Sequence, residues 1–126
     1  MLVLDSGAVT RLAERSARAA ALIAVLRAEG LWPPVVPSMV LVECLTGDGS
    51  RDAAQHRFLR ICDVTAAVPV TLARRAARLR ARARQGSAVD ALVTAMAEPG
   101  GTVLTGDVAD LRALASQATD VTVEPV

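Results

Sequence analysis

The stretch MLVLDSGA, residues 1–8, decides how the rest of the chain is read. Met1–Leu4 is a short apolar run that stops at Asp5, the pattern of a buried strand. The segment TVLTGD, residues 102–107, repeats it: an apolar strand over Thr102–Thr105, then an acid at Asp107. In both places a helix pattern follows at once, over Ser6–Ala13 and from Asp107 to about Ala115.

Working outward, the remaining segments alternate in the same way. Ser16 caps a helix with Ala19, Leu22, Ile23 and Leu26 at helical spacing, and Gly30 stops it. Trp32-Pro33-Pro34 is a turn and Val35-Val36 a short strand. Pro37-Ser38 opens a helix to about Leu45, and Asp52–Cys62 reads as another. Val64–Pro69 is a loop or short strand. Thr71–Arg84 carries Leu72, Ala76, Leu79 and Ala83 on one stripe. Ser87 caps a helix over Ala88–Ala97, and Val121–Glu124 is a last strand. Strands alternating with helices predict an α/β fold with a mostly parallel sheet. In such sheets ligands bind beyond the carboxyl ends of the strands. That rule singles out Asp5 and Asp107.

Length and composition narrow the function. The chain has 126 residues, 52% hydrophobic, which suits one domain with one core. Its net charge is +1, from 14 basic and 13 acidic residues. Every basic residue is Arg; there is no Lys. A phosphate loop of the Walker type and a Schiff-base lysine are therefore excluded. Cys44 and Cys62 form neither a zinc pattern nor a disulfide framework, so a reducing, cytoplasmic setting is expected. No signal peptide is read at the N-terminus, and no apolar stretch is long enough to span a membrane.

Four carboxylates stand in unusual settings. Asp5 ends a strand; Glu43 lies in SMVLVECL; Asp90 lies in SAVDALV; Asp107 follows a strand, with Asp110 three residues on. Each also has a plain structural reading. Asp5 and Asp107 suit helix N-caps, and Ser87 with Asp90 has capping-box spacing. Glu43 could occupy the exposed side of an amphipathic helix, although its apolar neighbours make such a face hard to draw. Charged groups are seldom buried unless paired or metal-bound, and no cation lies close in sequence to Asp5, Glu43 or Asp90. Two carboxylates about 5 Å apart repel by roughly 3 kcal/mol at an effective dielectric near 20. If the four converge, a cation among them is needed, and an all-oxygen donor set suits Mg²⁺ or Mn²⁺. The chemistry that follows is hydrolysis at phosphorus.

These motifs resemble the PIN-domain ribonucleases, and within them the VapC toxins of toxin–antitoxin pairs. The resemblance rests on LVLDSGAV, PSMVLVECL, SAVDALVTAMA and VLTGDVADL, in that order, over nearly the whole chain. It implies one PIN-like nuclease domain over residues 1–126, a three-layer α/β/α sandwich around a mostly parallel sheet. It carries over Asp5, Glu43, Asp90 and Asp107 as catalytic, metal-holding acids, with Asp110 as a fifth candidate. Ser6 and Thr105 match small hydroxyl positions beside the acids. A Mg²⁺ or Mn²⁺ cofactor, a transfer or ribosomal RNA substrate, a VapB-type antitoxin and a homodimer are implied as well. The alternatives are a PIN-domain RNA-processing nuclease that is no toxin, and a non-catalytic RNA- or protein-binding PIN module. Receiver-like or haloacid-dehalogenase-like phosphoryl transfer ranks below these, because both use a Lys and the latter a D-x-D motif.

Arg74, Arg75, Arg78 and Arg82 share one face of their helix at 100° per residue. They read either as a solvated face or as an RNA-holding rim, since guanidinium forks match phosphate. His56 reads as a surface or partly buried side chain, and Trp32 as core packing.

Overall fold

A computed structural model describes residues 1–126. Five short strands form one sheet: β1 (Leu2–Leu4), β2 (Val35–Pro37), β3 (Asp63–Thr65), β4 (Thr102–Thr105) and β5 (Thr122–Pro125). The order is β3-β2-β1-β4-β5, and every pairing is parallel, so the sheet is parallel throughout rather than mostly. Val3 lies opposite Val35 on one side and Val103 on the other. Leu2, Val3 and Leu4 are all buried, as a strand covered on both faces requires.

Seven helices make the outer layers. On one side lie α1 (Ser6–Ala13), α2 (Ala17–Ala28), α3 (Val40–Cys44) and α4 (Ala53–Leu59). On the other lie α5 (Val70–Ala83), α6 (Ala88–Ala97) and α7 (Val108–Ala115). The split follows from right-handed crossovers. The chain steps from β1 to β2 to β3 in one direction, then crosses to β4 and β5 in the other, which moves its helices to the opposite face. The main core joins Leu2, Val3, Leu4, Val9, Leu12 and Val36 to Val93, Val103, Leu104 and Leu111. A smaller cluster of Ala76, Leu79, Ala91, Ala95 and Leu114 seals α5 onto α6 and α7. This is the stripe expected from Leu72, Ala76, Leu79 and Ala83, with Ala76 and Leu79 innermost.

Two boundaries differ from the sequence reading for physical reasons. Pro37 ends β2 instead of opening a helix, and a turn at Ser38-Met39 precedes α3. α3 is therefore only five residues long, with Val40 and Cys44 buried at i and i+4. Strand β3 begins at Asp63, because the Asp63 N–H bonds the Pro34 carbonyl at the start of the β2 ladder. Trp32 packs edge-on against Phe58, with ring centroids 6.3 Å apart, and the Arg27 guanidinium lies 5.1 Å above its ring. Cys44 and Cys62 are free thiols, and burial pushes the Cys62 thiol up to about 12. No helix is long and apolar enough to cross a membrane.

The Arg-rich helix departs from expectation at one residue. Arg75 does not stand free with Arg74, Arg78 and Arg82. Its Nε and Nη2 donate to Glu98 at 2.8 and 2.5 Å, a bidentate pair. Glu98 also accepts the Thr119 N–H at 2.7 Å, and its hydrogen bond from Arg75 holds its carboxyl below the ordinary range. The pair fastens α5 to the C-terminal end of α6. Replacing Arg75 by Ala is expected to cost about 1 kcal/mol, or roughly 4 °C in melting temperature. Thermal melts of the two proteins check this; equal melting temperatures would show that the pair does not fasten the helices.

Candidate functional site

Beyond the carboxyl ends of β1 and β4 lies an open cleft of about 630 Å³, lined by 11 residues of which none is hydrophobic. The sheet order reverses here, because β1 is flanked by β2 on one side and β4 on the other. Asp5, Glu43, Asp90 and Asp107 all line this cleft, together with Ser6. They come from four separate segments of the chain.

Asp5, Asp90 and Asp107 are each held by local hydrogen bonding, and the capping readings prove compatible with the cleft. Asp5 is the N-cap of α1: its Oδ1 accepts the Ala8 N–H at 2.6 Å. Asp107 is the N-cap of α7, with Oδ1 accepting the Ala109 N–H at 3.2 Å. Asp90 closes a capping box with Ser87, its Oδ2 accepting the Ser87 N–H at 2.8 Å. A carboxylate has two oxygens and about four lone-pair sites, so capping does not exhaust it. The second oxygens of Asp90 and Asp107 have no protein donor.

Thr105 joins two of the acids from below. It is fully buried at the end of β4, and its hydroxyl donates to Asp5 Oδ2. The Thr105 hydroxyl oxygen in turn accepts the Asp107 N–H at 2.8 Å. Gly7 and Gly106 let these two segments meet. A Cβ on Gly7 would stand 2.9 Å from the Gly106 Cα and 3.0 Å from its nitrogen. Only hydrogen fits on either side of that contact, so the strand ends carrying Asp5 and Asp107 are brought together by two glycines.

The electrostatics favour a cation. Asp5 is 6% exposed, and its pKa is raised, chiefly by burial, with repulsion from Asp90 adding to it. The Thr105 hydroxyl and the Ala8 and Gly106 N–H groups oppose that rise. Five acids, with Glu14 the fifth, face a single base, Arg11. The donor set is all oxygen, which suits a hard divalent ion. No three of the carboxylates stand close enough to clasp one ion by themselves. Mg²⁺ needs no such cage: it keeps several waters and is held by one or two carboxylates plus substrate phosphates. The residues present fit that mode.

Several expectations are corrected. Glu43 is exposed despite its apolar neighbours, because α3 buries only the Val40/Cys44 edge and leaves Val42 81% exposed beside it. Asp110 does not line the cleft; its Oδ1 accepts the Gln85 side-chain N–H at 2.7 Å. None of Arg74, Arg75, Arg78 and Arg82 lines it either. α5 packs against α6, and Arg75 meets Glu98 at the end of α6 opposite Ser87, so it lies about 15 Å away, one helix length. The residues that sequence reasoning missed are Gly7, Thr10, Arg11, Glu14 and Gly106. The first three were readable: α1 buries Ala8, Val9, Leu12 and Ala13, which leaves Gly7, Thr10 and Arg11 with Ser6 on the opposite face of a helix capped by Asp5.

No protein-family model and no curated protein matches the chain. Among solved structures it is similar to the crystal structure of FitAcB from Neisseria gonorrhoeae, with a TM-score of 0.65 and 19% sequence identity. The match covers 98% of this chain and 96% of the other. At that identity the likeness establishes the fold: an α/β/α sandwich around a five-stranded parallel sheet, matching the PIN-like architecture.

Proposed function

We propose that the chain is a Mg²⁺- or Mn²⁺-dependent endoribonuclease, the toxin of a VapBC-type toxin–antitoxin pair. The observation that carries this reading is the convergence of Asp5, Glu43, Asp90 and Asp107 from four segments onto one cleft without a hydrophobic lining residue. A divalent cation, when bound, polarises water for in-line attack on a phosphodiester. Asp90 and Asp107 would hold it through the oxygens their caps leave free, with Asp5 and Glu43 completing the charge. Asp5 is the best fixed of the four, held by Ala8 and Thr105. Ser6 lines the cleft, and its hydroxyl would orient water. Arg11 is the cleft's own base and offsets charge developing on the phosphate. The exposed Arg74, Arg78 and Arg82 would meet the RNA backbone outside the cleft.

The antitoxin partner, a homodimeric state, a transfer or ribosomal RNA target and action in the cytoplasm belong to the same reading, on the motif resemblance. Cutting such RNA stops translation and growth. The test is induced expression with mapping of RNA 5′ ends, wild type against Asp90→Asn. New ends at discrete sites should form with the wild type and vanish with the variant. Identical ends in both would sink the site assignment.

A further inference from the structure

A second hollow, of about 140 Å³, lies between α1 and the start of α2. It shares Arg11 and Glu14 with the acidic cleft, so the two adjoin. Its floor is apolar, made by Leu12, Ala19 and Leu22, and Arg18 stands beside Arg11 on its wall. We propose that this hollow is a subsite for one nucleotide of the RNA strand cut in the cleft, Arg11 and Arg18 taking its phosphate and the apolar floor its base. The inference rests on the nuclease reading above.

Three observations argue for that occupant. First, neither guanidinium group is held in an ion pair. The only ion pair in the structure is Arg75–Glu98. Arg11 Nη1 donates to the Val126 carbonyl at 2.9 Å, which fixes the guanidinium and leaves its other N–H groups free. Guanidinium forks match phosphate oxygens. Second, the size fits one flat ring, since a cavity of about 150 Å³ accepts a benzene-sized ligand. Third, the side-chain oxygens of Glu14 on the wall can accept from the N–H edge of a base, while the phosphate falls to the arginines. The Ser16 hydroxyl is already engaged by the Ala19 N–H at 3.0 Å, so it does not compete for the ligand. A strand leaving the cleft over Arg11 therefore meets phosphate donors and an apolar seat in sequence.

The experiment uses fluorescein-labelled 2′-O-methyl RNAs of two, four and six residues, randomised in sequence, with the whole protein in Mg²⁺ buffer. Arg18→Ala should weaken the hexamer about tenfold, the loss of one charge-assisted contact, and leave the dinucleotide unaffected. The salt dependence of hexamer binding should fall by roughly 0.7 in slope. Arg18→Lys should restore part of the affinity. Arg60→Ala, an exposed arginine outside both hollows, should act alike at every length. Melting temperatures should match among all variants. An Arg18→Ala protein that binds every length as the wild type does, or only as Arg60→Ala does, overturns the subsite while the nuclease reading stands. A wild type that binds none of the RNAs overturns both.

Discussion

Asp5→Asn is expected to eliminate RNA cleavage while leaving the protein as stable as before, or more so. The substitution keeps the hydrogen bonds. The amide oxygen accepts the Ala8 N–H as Oδ1 does now. The amide nitrogen can donate to the Thr105 oxygen, whose own proton turns to the Asp107 carbonyl at 3.0 Å. That oxygen then accepts from the amide and from the Asp107 N–H, within its two lone pairs. What disappears is the charge. Groups one step removed from a metal cost about 10–100-fold in affinity or activity when changed, and an acid in the cleft itself should cost more.

Stability should move with pH in a defined direction. Burial raises the Asp5 pKa above 3.8, so the native state binds its proton more tightly than the unfolded chain does. Its contribution is full below the unfolded pKa and is lost as pH rises through the folded one. The melting temperature of Asp5→Asn relative to wild type should therefore climb across that window and then level off. Mg²⁺ should raise the wild-type melting temperature in a concentration-dependent way and have little effect on the variant. A variant with wild-type cleavage, or one that melts lower at every pH, would remove Asp5 from the centre of the site.

Gly7→Ala should harm both fold and activity. The new methyl would lie 2.9 Å from the Gly106 Cα, and neither partner is a flexible side chain that could swing away. Overpacking of this kind costs about 1–3 kcal/mol, roughly 4–12 °C in melting temperature. Relief requires the β1–α1 and β4–α7 junctions to separate, which pulls Asp107 from Asp5. A misplacement near 1 Å can cost about 10²-fold in rate, so kcat/KM should fall by at least that much. Gly49→Ala is the control, since a Cβ there meets nothing within 4 Å. Equal melting temperatures and rates for the two variants would show that the glycine contact does not hold the junctions.

The sequence was most informative where local chemistry and tertiary role coincide. β1, β4 and α6 were readable because an apolar run or a Ser-x-x-Asp cap reports both the element and its burial. Three of the four acids were readable for the same reason: strand ends and caps place Asp5, Asp90 and Asp107 at the cleft. Glu43 was misjudged in its surroundings. Apolar neighbours imply burial only on a helix long enough to have a covered and an uncovered face, and α3 has little more than one turn. Arg75 was misassigned because its partner Glu98 is 23 residues away, across a helix–helix contact that periodicity does not reveal. The Gly7–Gly106 contact spans β1 and β4 and belongs to pairing, which one chain's pattern leaves open.

The pairing of β1 with β4 also sets the order in which the protein can be assembled during its own synthesis. These are the inner strands that carry the cleft, yet Leu2 and Thr102 are partners. At about 5–20 residues per second, a ribosome needs roughly 5–20 s to deliver one after the other. Until then β1 has only β2 beside it, and Asp5 lacks both Thr105 and Asp107. A growing chain is thus without its complete acidic cleft until β4 and Asp107 have been made. On the proposed nuclease reading, such a protein would be made beside large amounts of RNA while still incomplete.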